Sequence, residues 1–179
     1  ITATEEPLSK HPADGTLPTI YHDPYLHIEG TDDIVVLGDH AHPFLIGGTV
    51  IGRRAASGLL QPCAPDRKDR SSLGADDVKG CRDILEGRFI LIALDGHGAC
   101  QIGLDRFGRI DLYYQRVSDK KIIFATDLSL LPIHSNSSSC DQAALAHTLC
   151  VYGWRPPKRH TLYQNVRRLG VDDMVFIHK

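Results

Sequence analysis

No apolar run in this sequence approaches the ~20 residues that a membrane-spanning helix needs, so no bilayer span is expected. The first residues, ITATEEPLSKHPADGTLP, have neither the basic start nor the apolar centre of a secretory leader. There is no C-x-x-C pair either. The cysteines (Cys63, Cys81, Cys100, Cys140 and Cys150) are odd in number and scattered. That excludes a zinc ribbon or thioredoxin-type motif and predicts reduced thiols in a reducing compartment. Charge of one sign is also missing: the net value is −2, so no overall field favours nucleic acid or acidic membranes. No internal repeat is visible. These absences leave the expectation of a soluble, cytoplasmic globular domain with neither nucleic-acid nor membrane partners.

What is present is a succession of short strand-like and helix-like segments. Residues 1–25 carry four prolines and no periodicity, and predict an irregular N-terminal arm. Residues 26–179 form the domain proper. DDIVVLGD predicts a strand over Ile34–Leu37, and PFLIGGTVIGRR either two short strands or one bulged strand broken at Gly47-Gly48. Gln61 to Asp76 is polar and aperiodic, and predicts a mobile loop. A helix should follow, capped by Asp76 or Asp77, with Val78, Cys81, Ile84 and Leu85 at helical spacing and Gly87 as its terminator.

From Phe89 to Thr126, three turn signals (Asp95–Gly98, Asp105–Gly108 and Ser118–Lys121) separate runs rich in Ile, Leu, Phe, Tyr and Val. This predicts an antiparallel meander. TDLSLLPIH predicts a short helix or turn ended by Pro132. CDQAALAHTLCVYGW predicts a helix capped by Asp141, with a stripe of Ala144, Leu145, Thr148 and Leu149. VRRLGVDDMVFIHK predicts a hairpin turning at Gly170–Asp173. Strands, helix, meander, helix, strands together predict an α+β domain.

Few side chains stand out as chemistry. His40 and His42, in GDHAHP, could begin a metal site, but two further ligands would be needed, so no metal is expected. Asp105 and Arg106 are candidates for a catalytic pair or for an ion pair that locks a turn. Asp95 is a strand-end residue suited to holding backbone N–H groups. The basic stretches RPPKRH and VRRL are expected to be solvated loops.

The stretch LEGRFILIALDG…GLDRFGRIDLYYQ…KIIFATDLSLL resembles the class II glutamine amidotransferase domain at the front of asparagine-synthetase-like enzymes. Gly87, Phe89, Asp95, Asp105, Arg106, Gly108, Leu112, Tyr113 and Tyr114 match its pattern in order, and Thr161, Leu162, Val166, Arg168 and Leu169 match its tail. The resemblance covers about residues 80–179 and, more weakly, 34–54. It implies the four-layered αββα sandwich of N-terminal-nucleophile (Ntn) hydrolases, with Asp95, Asp105 and Arg106 as fold-signature residues.

The same resemblance exposes departures. The family's glutaminases begin with a Cys whose α-amino group is the base. This chain begins with Ile1, and Thr2 has no free amine. The family's NGEIYN segment falls on GGTVIG: Gly48 agrees, while Gly47, Thr49 and Gly52 stand where Asn, Glu and Asn are expected. A side-chain amide that would hold glutamine and support the oxyanion hole is therefore missing at Gly47, Gly48, Thr49. No catalytic residue is expected.

The resemblance then implies an inactive glutaminase-like domain of an ATP-dependent, amide-forming ligase. The type is that of the β-lactam synthetases and lasso-peptide macrolactam cyclases, whose substrates bring their own amine. ATP and Mg2+ would bind a separate synthetase domain carrying an SGGxDS loop, which this chain lacks. That domain and a peptide substrate are the expected partners. Two alternatives remain open: an active amidotransferase whose N-terminal Cys is missing from this chain, and a stand-alone binding module on the same fold.

Overall fold

The computed structural model describes residues 19–22, 27–30, 34–38, 42–63, 77–95, 99–118, 121–133, 139–151 and 159–178. In chain order the elements are β1 (Thr19–His22), β2 (His27–Glu29), β3 (Ile34–Leu37), β4 (Phe44–Arg54), β5 (Leu60–Pro62), α1 (Val78–Ile84) and β6 (Leu85–Leu94). There follow β7 (Cys100–Leu104), β8 (Tyr113–Ser118), β9 (Lys121–Ala125), α2 (Gln142–Cys150), β10 (Val166–Arg168) and β11 (Met174–Ile177). The fold is α+β, with few helices and antiparallel pairing along β1–β2, β3–β4, β4–β5, β4–β6, β8–β9 and β8–β10. Among the described residues, no helix is long and apolar enough to cross a membrane. The chain divides into two compact units, Ile1–Gly103 with Val175–Lys179, and Leu104–Met174.

The first unit is built on a sheet ordered β11-β7-β6-β4-β3, with β5 also pairing β4, and on the separate β1–β2 hairpin. Strand β1 lies within the arm expected to be irregular. The sequence TIYH, rich in β-branched and aromatic residues, is strand-forming once a partner is available. The rest of that arm is outside the described residues. At the middle of the sheet Phe44, Leu45 and Ile46 are buried in succession, as are Phe89, Ile90 and Leu91. Successive residues of a strand point to opposite faces, so both faces are covered there. Each such side chain contributes about 1.5–3 kcal/mol by leaving water.

Helix α1 starts where Asp77 accepts the Gly80 N–H at 2.6 Å, and it buries Val78 and Cys81. Asp76, the other proposed cap, lies outside the described residues. Gly87 does not end this helix. Leu85 leaves α1 in an extended conformation and begins β6 directly, which puts Gly87 inside a strand. The reason for glycine there is different. Its φ is +154°, and a Cβ would lie 2.2 Å from the Thr49 carbonyl oxygen and 2.9 Å from the Val50 Cα. The bulge of β4 is beside it, where Val50 opposes Gly87 and Gly52 opposes Glu86 with Ile51 as the extra residue. PFLIGGTVIGRR is thus one bulged strand, but the irregularity falls at Ile51. Gly47 and Gly48 stay in register with Ile90 and Phe89.

The first residues of the expected loop over 61–76 are strand instead, because Leu60–Pro62 pairs with Gly52–Arg54. Pro62 is tolerated on a strand that pairs along one edge. Residues 64–76 are outside the described residues.

In the second unit a three-stranded sheet runs β10-β8-β9. Its core gathers Ala125, Leu131, Ile133 and Val166, with Tyr113, Ile123, Leu128 and Tyr163 packed against them. The meander is corrected by this topology. Strands occur where the composition predicts them, but β7 belongs to the first sheet and β8 to the second. Asp105–Gly108 is therefore the exit from one sheet, and residues 109–112 run on without strand structure before β8 begins. The Gly170–Asp173 turn forms, closed by the Asp173 N–H donating to the Gly170 carbonyl at 3.1 Å. It too joins strands of different sheets, so the expected hairpin is not made.

Helix α2 begins at Asp141, whose carboxylate accepts the Ala144 N–H at 3.0 Å. Its inward face is Ala144 and Thr148 alone, and the Thr148 hydroxyl donates to the Ala144 carbonyl. Leu145 and Leu149 are exposed, the latter by 73 %. The expected four-residue stripe is halved because the helix packs along a single i, i+4 row.

Candidate functional site

The positions where a glutamine clamp was sought lie on β4. Gly47 and Gly48 are mid-strand, and Thr49 is exposed opposite Arg88. Gly48 has φ +108°, a backbone conformation that side chains rarely adopt, so glycine is required there by geometry. Gly47 has no such need: a Cβ at that position would meet only Ile34 Cγ1, at 3.8 Å. Neither glycine nor the threonine offers an amide or a carboxylate.

The two carboxylates of the signature stretch, Asp95 and Asp105, are engaged with the backbone. Asp105 is 1 % exposed. One of its carboxylate oxygens accepts the Phe107 N–H at 2.9 Å and the other the Arg109 N–H at 2.9 Å. The Gly108 N–H closes the turn on the Asp105 carbonyl, with Gly108 at φ +57°. The ion-pair partner of Asp105 is Arg109, at 3.7 Å, rather than Arg106. Arg106 is exposed because its side chain leaves the turn while the carboxylate points inward, and its guanidinium lies 6.0 Å from the Phe107 ring. Arg109 sits closer over that ring, at 4.5 Å. Asp95 accepts the Ala99 N–H at 2.9 Å and donates its own N–H to the Ala99 carbonyl, at the start of the β6–β7 connection. Phe89, within β6, is fully buried.

Residues 155–158 of RPPKRH lie outside the described residues, and the described arginines of the two basic stretches are paired with acids. Arg167 reaches Asp141 at 3.2 Å, Arg168 reaches Asp111 at 3.3 Å, and Arg159 pairs with Asp173. Asp141 is the hub that sequence spacing does not reveal, since its partners are 19 and 26 residues away. While one oxygen caps α2, the other meets His160 Nδ1 at 3.2 Å and the Arg167 guanidinium. The Ala144 N–H first, then His160, hold its carboxyl below the usual carboxylate range. Burial and the adjacent Asp111 raise the Tyr113 hydroxyl, which donates to Asp111 at 3.2 Å.

Residues 74–179 match the family model of the glutamine amidotransferase domain, which is more than half of the chain. The chain belongs to that family. Comparison with curated proteins gives no match. The amidotransferase match contains the whole signature, from Gly87 to Gly108, and begins beyond the strand that holds Gly47, Gly48 and Thr49. Among the described residues of this amidotransferase domain, no three His, Cys, Asp or Glu side chains converge to hold a metal ion. Of the proposed histidine pair only His42 is described. It lines a recess of about 360 Å3 at the β6–β7 end of the first unit, together with Asp77, Asp95 and Phe176. Nothing in the sequence signals this recess, since its walls come from four separate stretches of chain.

Proposed function

We propose that this amidotransferase domain no longer hydrolyses glutamine and serves as the scaffold domain of an ATP-dependent, asparagine-synthetase-like amide ligase. An intramolecular cyclase of peptide or natural-product biosynthesis fits best, because a substrate that carries its own amine makes ammonia unnecessary. The observation that carries the reading is a division among the family's positions. The glycines that backbone geometry demands are present: Gly48 at φ +108°, Gly87 at φ +154° and Gly108 at φ +57°. The side chains that would do chemistry are not, with Gly47 and Thr49 standing where the pattern has Asn and Glu. The remaining acid of the signature turn, Asp105, is buried and bonded to two backbone N–H groups.

On this reading ATP and Mg2+ belong to a synthetase domain, the partner of this one, and a peptide is the natural class of substrate. The finer architecture would be the αββα sandwich of the Ntn hydrolases, and the compartment the cytoplasm. Ammonia release from glutamine by the natural full-length protein, with and without ATP, is the test. No release above that of a denatured control is expected. Robust turnover would sink the proposal and restore the active amidotransferase.

A further inference from the structure

The turn Asp105–Arg109 has an outer face that its backbone bonding does not use. Phe107, large and apolar, is 54 % exposed there. The Arg109 guanidinium lies 4.5 Å from the centre of its ring and that of Arg106 6.0 Å. Arg109 is balanced by Asp105 at 3.7 Å, whereas Arg106 has no acid partner among the described residues. The support beneath is fixed, since Asp105 accepts the Phe107 and Arg109 N–H groups at 2.9 Å each. A half-exposed ring and one unbalanced guanidinium are thus presented on backbone that needs no further ordering on contact. Aromatic and arginine side chains are the types that anchor protein contacts.

Three considerations narrow the occupant. One unbalanced charge is too little for a phosphate backbone, whose binding rests on several such contacts. It does match a single carboxylate beside an apolar hollow that takes the ring. The area sets the third limit. An aromatic ring buries about 150–250 Å2, well below the ~800 Å2 that each partner gives to a stable, freely associating complex. An occupant that stays on so small a contact has to be kept near by a covalent link, which supplies a millimolar effective concentration. A second domain of the same protein meets that condition. We propose that Arg106 and Phe107 dock this domain onto the synthetase domain, with Phe107 in an apolar hollow and Arg106 paired with an Asp or Glu at its rim. This rests on the ligase reading for the existence of that domain, and not on the loss of glutaminase activity.

The test uses the natural full-length protein with the photoreactive p-benzoylphenylalanine in place of Phe107. Irradiation is expected to join position 107 to a synthetase-domain peptide with Asp or Glu next to the attachment point, read by mass spectrometry. Arg106→Glu in the same chain should lower the yield about three- to tenfold, as one partly solvated charge pair turns from attraction to repulsion. Arg116→Glu, which reverses another exposed arginine of the second unit, should leave the yield unchanged. These changes keep the backbone N–H groups that Asp105 holds. Attachment only within residues 1–179 or to a separate chain would overturn the proposal. So would a yield indifferent to Arg106→Glu. Ammonia release from glutamine by that protein would sink the scaffold reading and leave this contact standing, so the two fail separately.

Discussion

Strand β4 around Gly47–Thr49 and the turn Asp105–Arg109 treat polar chemistry in opposite ways. In the strand, the backbone sets the residue at one place, Gly48, and leaves Gly47 and Thr49 in open surroundings that would accept other side chains. In the turn, nearly every polar atom is used: both Asp105 oxygens take N–H groups, Arg109 balances the charge, and Gly108 adopts the left-handed conformation. The difference teaches that a family motif can persist for two unrelated reasons. Residues that satisfy the backbone are held by stability, and residues that touch substrate are held only while there is a substrate to touch.

The sharpest way to break the comparison is at Gly87, which carries the packing of the strand pair. Gly87→Ala should cost about 3 kcal/mol or more, since the new Cβ would collide with backbone that cannot swing aside. Urea denaturation measures this, and a loss under 1 kcal/mol would show that the bulge simply relaxes. Asp105→Ala should follow at about 2–3 kcal/mol, because it strands two N–H groups at a buried site. Asp105→Asn, which retains one acceptor oxygen, should recover part of that loss. Equal effects of the two would mean that charge, rather than hydrogen bonding, holds the turn.

Asp141 gives a smaller effect, present at neutral pH and fading in acid. Its folded carboxyl binds protons less readily than in the unfolded chain, so its contribution is present above about pH 4, the ordinary carboxylate value. It is lost as pH falls through the lowered folded value. Asp141→Asn should therefore flatten the acid limb of a stability-versus-pH curve and leave its slope near pH 7 unchanged. The smallest effect is expected at Gly47. Gly47→Ala should be neutral or stabilising by about 0.5–1 kcal/mol, as for a strand glycine with room beside it. Marked destabilisation there would mean that the strand too is held by packing, and the contrast with the turn would collapse.

Local signals in the sequence were reliable where one side chain meets a backbone group a few residues away. Asp77 and Asp141 cap the helices that follow them, and the strands of 34–54 and 89–125 fall where β-branched and aromatic residues concentrate. What escaped were features that depend on distant chain. Gly87 could pass for a helix terminator because nothing nearby reveals the Thr49 carbonyl pressed against it. The meander could not be parted into two sheets, since period-2 alternation marks strands and not their neighbours. Leu145 and Leu149 looked like core because spacing gives a face without saying whether anything covers it. The Asp141 cluster and the recess were invisible for the same reason.

Strand β11 lies at one edge of the sheet ordered β11-β7-β6-β4-β3, beside β7, although some seventy residues of chain intervene between them. During synthesis the rest of that sheet emerges long before its last member, and the whole of the second unit is made in the interval. Until β11 is made, the β7 edge of the nascent sheet therefore lacks its partner, and an unpaired edge is a template for wrong pairing.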